Sequence, residues 1–280
     1  MAIFEDPEAA LAGAYPGKAA RLRHRLAGDP LFSLEALIEL ARRMPPEAIE
    51  YNAGDLQVDQ DPKSTPSNGL SVEETIRRIV DCNSWMALKN VERIPEYAAA
   101  LDRCLQDIDG PVRAATGAMA KRQGFIFISS PHSVTPFHMD PEHNILLQLQ
   151  GAKRMYLYPA DPRLVSDEQH ERYHAGAAHR NLRRRPEFDA LAVAHDLLAG
   201  DALYVPVKAP HWVKNGDAPS ISFSITWRSR ASLDEARLRL ANRRVRQLGG
   251  RPPAPGAAPV RDGALVLAHR LATRLAHPFG

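Results

Sequence analysis

Two cysteines, Cys82 and Cys104, are all that 280 residues contain, and neither a Cys-x-x-Cys pair nor a Cys/His cluster of zinc-finger spacing is present. A disulfide-stapled scaffold is excluded. Long apolar runs are missing too: clean apolar stretches, Ile145 to Leu147 among them, are short against the roughly 18 residues that a membrane-spanning helix requires. No span is expected. The opening segment, MAIFEDPEAALAGAYPG, carries acids where a secretory signal would carry Lys or Arg ahead of an apolar block, so a reducing, cytoplasmic setting is expected. Charge of one sign is scarce: 36 basic against 33 acidic side chains leave +3, and 29 of the basic residues are Arg. Even with a pI near 8.9, that excess is too small to mark a nucleic-acid binder. What remains is 44% apolar and 25% charged, an ordinary globular composition. A chain of this length buries roughly three quarters of its unfolded surface, so core size is not limiting.

Residues 31–44, LFSLEALIELARRM, put Leu34, Leu37, Ile38 and Ala41 at helical spacing behind a Ser33 cap, and Pro45-Pro46 stops the pattern. Residues 48–58 read as extended and 59–69 as a polar, Pro-containing loop. A second helix begins near Ser71, where Ser71 and Glu74 form a capping-box pattern and Val72, Ile76, Ile79 and Val80 supply an apolar face. SWMALKNV (84–91) reads as a strand, and Pro95 to Ile108 as a third helix ended by Asp109-Gly110.

From residue 123 the rhythm changes. GFIFISS, NILLQLQ, KRMYLYP, DALYVPV and SISFSITW are short apolar or alternating segments separated by turn residues, which predicts a mainly β fold, an antiparallel barrel or jelly roll. Helical character returns in residues 232–248, with Ser232, Asp234 and Glu235 at its start. A flexible or polyproline-like linker follows over 249–259, then a last amphipathic segment to about residue 277. Three regions are expected: 1–110, helical and mixed, packed on the barrel; 111–229, the barrel; and 230–280, C-terminal helices.

The chemistry concentrates in TPFHMDPEHNILLQLQGAKRMYLYP, where His138 and Asp140 stand two apart at the mouth of a predicted strand. Two apart on a strand means one face, and an imidazole beside a carboxylate offers two cis ligands to a divalent ion. Alone the pair is weak, because His-x-Asp arises by chance about once in such a chain. A third ligand is available from GDALYVPVKAPHWVKN, which carries His211. Gly200, Pro206, His211 and Asn215 stand at the offsets of the second motif of the cupin barrels, with Lys208 in place of its middle glycine. His138-x-Asp140-x3-Asn144-x6-Gly151 has the spacing of the first cupin motif, with Asp for its second His and Asn for its Glu.

Over residues 123–228 these segments resemble the JmjC or cupin-like Fe(II)/2-oxoglutarate dioxygenases, close to the asparaginyl hydroxylase that acts on hypoxia-inducible factor. The resemblance implies a double-stranded β-helix barrel with flanking N-terminal and C-terminal α-helices. It implies Fe(II) held by His138, Asp140 and His211, with Lys153, Thr135 and Asn144 binding the co-substrate 2-oxoglutarate. It also implies O2 as oxidant, with release of succinate and CO2. Three protein ligands leave three positions on an octahedral ion, and a buried ammonium at Lys153 suits a dianion entering a barrel. The departures are Lys208 and Pro210 beside His211, which bear on the shape of the pocket.

The expected activity is hydroxylation of a protein or peptide side chain or of a small molecule; N-demethylation would use the same iron site. The competing class is a non-oxidative cupin that binds metal or senses a ligand, its basic helix contacting nucleic acid. A zinc or nickel cupin is a third option that the Asp-containing triad disfavours. His143 is expected to face solvent, and Trp227 to belong to the core in preference to a substrate cleft. The Arg-rich stretch 228–251 and HRNLRRR (179–185) read first as solvated faces. Leu233, Ala236, Leu240 and Val245, with ALVLAHRLATRLA, form apolar faces expected to pack on the barrel or in a homodimer.

Overall fold

The computed structural model describes residues 2–276, with side chains through residue 272; residue 277, to which the last amphipathic segment is expected to run, lies outside the described residues. The N-terminal region runs β1 (Phe4–Glu5), α1 (Pro7–Leu11), β2 (Ala20–His24), α2 (Leu34–Arg43), β3 (Ile49–Ala53), α3 (Val72–Arg77), β4 (Ser84–Lys89), α4 (Pro95–Asp107) and α5 (Asp109–Thr116). The barrel strands are β5 (Ala120–Ser129), β6 (Val134–His138), β7 (His143–Gln150) and β8 (Ala152–Leu157), then β9 (Val193–Leu198), β10 (Asp201–Val205), β11 (His211–Asn215) and β12 (Ser220–Arg228). Helix α6 (Asp167–His174) interrupts them, and α7 (Arg230–Gln247) and α8 (Pro259–Ala276) follow.

The local signals act as hydrogen-bonding logic requires. Ser33 Oγ accepts from Ala36 N at 3.2 Å to open α2, whose Leu37, Ile38 and Leu40 are at most 4% exposed. Burial of each such side chain contributes about 1.5–3 kcal/mol. Ser71 and Glu74 exchange both capping-box bonds at the start of α3. Asp109-Gly110, by contrast, does not end the helical region: the chain re-enters a helix there as α5, anchored by buried Val112 and stopped at Gly117. Helix α7 starts earlier than expected, at a Ser229 cap, and Ser232 is the third residue of the helix, returning the capping bond. The stretch after it is folded back: Gly250 N donates to Val245 O at 2.9 Å, and Gly256 N to Asp262 Oδ2 at 2.8 Å.

Two antiparallel sheets result, an eight-stranded one of order β1-β2-β10-β7-β12-β5-β4-β3 and a four-stranded one of order β6-β11-β8-β9. Strands β1–β4 thus extend the large sheet at both ends. The helices flank this pair of antiparallel sheets. Period-two alternation sorts the side chains. Leu146, Leu203 and Val205 of the large sheet meet Met155, Leu157 and Val213 of the small one in the barrel interior. Ile145, Leu147, Phe223, Ile225 and Trp227 point the other way, into the core shared with α2 and α4. Trp227 is therefore core.

The β7–β8 turn depends on one glycine. Gly151 has φ +70°, and a Cβ there would stand 2.3 Å from Pro219 O. Four of the six arginines of α7 are paired among the described residues: Arg230 and Arg237 with Asp234, Arg239 with Asp167 and Glu235, and Arg246 with Glu171, while Arg270 of α8 also pairs with Asp234. The helix's basic character is thereby tied to its packing on α6 and α8.

Candidate metal centre

His138 closes β6 and His211 opens β11, and the two stand opposite each other in the antiparallel register. Their ring centroids are 4.2 Å apart. The register gives β6 one residue more than β11 in this stretch, since Val213 faces Thr135 where His211 faces His138. This bulge lets Thr135 and His138, three apart, turn to the same inward side, while Phe137 packs outside the barrel. Asp140 is not on a strand, as the sequence suggested, but in the connection to β7.

Both histidine tautomers follow from their partners. His138 Nδ1 lies 2.7 Å from Pro136 O and His211 Nδ1 3.0 Å from Ala209 O. A carbonyl only accepts, so each Nδ1 carries a proton, and Nε2 is the ring atom left to offer a lone pair when the imidazole is neutral. Both Nε2 atoms lie 3.7 Å from Asp140 Oδ2. The three ligand atoms all fall within 4.8 Å of one another. Burial acts to raise the Asp140 carboxyl, yet its surroundings, with the Arg180 guanidinium as the permanent cation among them, hold it well below the usual carboxylate range. Burial, with His138 beside it, lowers His211 to about 4, so its ring is neutral near pH 7. Two lone pairs and a carboxylate oxygen aimed at one point form an acceptor-only cage, and the chemistry that fits it is a divalent cation. Two His and one carboxylate on one side of that point are the donor set of non-haem Fe(II) oxygenases.

Of the other three residues singled out in the sequence, Thr135 is on β6 itself, Lys153 on β8 beside β11, and Asn144 on β7 of the large sheet. Lys153, on β8 opposite Asn215 of β11, is 7% exposed, and no acceptor pairs with its ammonium among the described residues. Burial alone pulls it down to about 7. Asn144 Oδ1 accepts from Ser224 Oγ at 2.7 Å, which leaves its amide hydrogens free. Thr135 Oγ1 accepts from Trp85 Nε1 at 3.1 Å and keeps its own hydroxyl hydrogen to donate.

Lys208 occupies the left-handed region at φ +64°, which explains why glycine suits that motif position. Its ammonium pairs with Glu235 of α7. His143 is not solvent-facing as expected: it is 3% exposed, stacked on Trp227 at 12°, with Nδ1 2.8 Å from the Tyr204 hydroxyl. Sequence reasoning also missed Arg180, whose Nη1 lies 3.2 Å from Asp140 Oδ1. It stands in HRNLRRR, a run that reads as a solvated face, and no spacing signal ties it to a residue 40 positions away. In the same run Arg184 bonds Asp189, and the Arg185 guanidinium sits 4.4 Å from the centroid of the Phe188 ring.

A cupin-like domain model matches residues 84–232, more than half of the chain. The chain belongs to the cupin-like family. This cupin-like chain is 37% identical over 105 residues to Jumonji C domain-containing protein 5 of Drosophila melanogaster, a stretch covering 34% of the chain. The match spans only 25% of that relative's length. Among solved structures, E. coli ycfD superposes with a TM-score of 0.57 at 17% identity, covering 97% of the chain and 68% of its own. The structure of YcfD, described as a ribosomal oxygenase from Escherichia coli, in complex with cobalt and 2-oxoglutarate gives a TM-score of 0.54 at 16% identity, covering 98% and 68%. At these identities the likeness is one of fold.

Proposed function

We propose that this chain is an Fe(II)- and 2-oxoglutarate-dependent oxygenase that hydroxylates a protein or peptide side chain or a small molecule. The observation that carries this reading is the convergence of His138, Asp140 and His211 within 4.8 Å, beside a barrel that also buries the unpaired Lys153. A ferrous centre chelated by 2-oxoglutarate supplies C–H oxidation by O2 coupled to loss of CO2 and formation of succinate. In this reading His138, Asp140 and His211 hold the metal and leave half of an octahedron to exogenous ligands. Lys153 receives the far carboxylate of the co-substrate. Its rung is four residues from that of His211 along β11, about 13 Å at the rise of a strand, a span that a five-carbon dicarboxylate and the side chains at its two ends fill. The Thr135 hydroxyl and the Asn144 amide face the same interior and add donors for an anion. A regulator that only sensed a metal would have no use for a buried cation without a counter-ion, whose desolvation is unfavourable until an anion arrives.

The protein relative of the same fold described as a ribosomal oxygenase supports a macromolecular substrate. We place the chain in the cytoplasm; among the described residues no helix is long and apolar enough to cross a membrane. The three-part organisation proposed is residues 1–110 bracing the barrel of 111–229, and 230–280 as the assembly element. On α8, Val260, Ala264, Leu267 and Leu271 form an exposed stripe at spacings of four, three and four, with Val260, Leu267 and Leu271 90%, 57% and 52% exposed. That spacing is the seam of a helix pair, and we propose that a second copy of the chain covers it. The test of the main reading is anaerobic titration with Fe(II) and 2-oxoglutarate. A metal-to-ligand charge-transfer band in the visible is expected, and its absence refutes the oxygenase.

A further inference from the structure

The two oxygens of the Asp140 carboxylate have separate partners. Oδ2 faces the Nε2 atoms of His138 and His211 at 3.7 Å each, while Oδ1 lies 3.2 Å from Arg180 Nη1. The backbone of Arg180 is held to the ligand segment itself: Met139 N donates to Arg180 O at 3.3 Å and Leu182 N donates to Phe137 O at 2.7 Å. His138 and Asn181 form an antiparallel bridge. Residues 180–182 therefore run beside the end of β6 as a short extra rung, which fixes the root of the guanidinium relative to Asp140. The other acids facing Arg180 are Glu50 and Glu142, and each has a cation of its own, Lys89 for Glu50 and Arg228 for Glu142. Among the described residues Asp140 is the carboxylate to which Arg180 is bonded.

A carboxylate can offer one or both oxygens to a divalent ion, and nothing in its own structure decides which. Here the decision lies outside the carboxylate. A second metal–oxygen contact would require Oδ1 to turn from a charge-assisted hydrogen bond in a part-buried setting, where such bonds are stronger than in water. Resting on the metal-centre reading above, we propose that Arg180 is a positioning residue that restricts Asp140 to one-oxygen ligation and so keeps a coordination position free for exogenous ligands. It touches neither the metal nor the substrate in this role, and acts through Asp140 alone.

The test uses Mn(II) alone, without co-substrate, and counts the exchangeable waters on the bound ion by electron spin-echo modulation in D2O. Arg180→Ala is expected to bind Mn(II) with one exchangeable water fewer than the wild-type chain, because the released Oδ1 takes that position; Arg180→Lys is expected to keep the wild-type number. If the Ala variant does not fold, Arg180→Met keeps the aliphatic stem and carries the same expectation. An unchanged water count in the Ala or Met variant overturns the assignment, as does loss of Mn(II) binding in a variant that is folded. Failure of the wild-type chain to bind Mn(II) refutes the metal centre itself, a different result from failure of the Arg180 role.

Discussion

Replacing Lys153 by Met separates what the ammonium contributes to binding from what it takes from stability. In the folded chain burial lowers this group from 10.5 to about 7, while in the unfolded chain it titrates normally. Between those two values the unfolded state binds more protons, so wild-type stability rises with pH from about 7 to about 10.5 and is flat below. At pH 7 the penalty for carrying the buried ammonium is about 4 kcal/mol, at roughly 1.4 kcal/mol for each tenfold change in the protonation equilibrium. Met fills a similar volume with no charge, so the co-substrate-free variant should be the more stable protein at pH 7. That advantage should shrink towards pH 10. Denaturant unfolding of both proteins across pH 6–10 measures it. In the same variant, 2-oxoglutarate affinity in the presence of Mn(II) should fall about 30-fold to several thousand-fold, the effect of removing one partner of a buried charge pair at 2–5 kcal/mol. Equal stability of the two proteins at pH 7 would show that the ammonium is not buried without a counter-charge. Undiminished co-substrate affinity would reject its role, whatever the stability data show.

Asp140→Ala removes the one anionic ligand and should weaken Mn(II) binding by about 100-fold or more, measured by calorimetry; an affinity within a few-fold of wild type would dissolve the proposed triad. Gly151→Ala places a Cβ against Pro219 O in a left-handed turn and should destabilise the fold by about 2–4 kcal/mol in urea, with a loss under 1 kcal/mol contradicting the turn geometry. The double variant Leu267→Glu, Leu271→Glu should convert a dimer to a monomer by light scattering without altering the circular dichroism spectrum, since both side chains are exposed in the single chain. An unchanged mass would reject the α8 interface.

How much of this was legible depended on whether the physics was local. Ser33 and the Ser71–Glu74 pair announce their helices because a cap is a hydrogen bond within four residues. SISFSITW announces β12 because Ser222, Ser224 and Thr226 line the barrel while Phe223, Ile225 and Trp227 enter the outer core. The triad was legible because its offsets are set by strand and turn lengths. Helix α6 was not, since its buried residues are His170 and Glu171 and its packing is ionic, through Asp167 to Arg239 and Glu171 to Arg246. Strand β6 hides its alternation behind the bulge. His143 read as a surface residue because its partners, Tyr15, Tyr204 and Trp227, come from three distant segments. Arg180 was invisible for the same reason: a charge is assigned to solvent until the fold supplies its counter-charge.

The extra residue in β6 has a consequence for how this protein can vary in length. Val134 to His138 must reach from the Lys214 rung to the His211 rung of β11 with one amino acid to spare. Removing the extra residue between Thr135 and His138 would restore strict pairing and leave the two only two apart, a spacing at which a regular strand already puts both side chains on one face. Substitutions in this stretch can be absorbed by side-chain packing. Loss of that one residue can be absorbed as well, and such a shortened version would be expected to fold with His138 and Thr135 still on the inner side, whereas removing Val134 keeps the odd spacing and its need for the bulge.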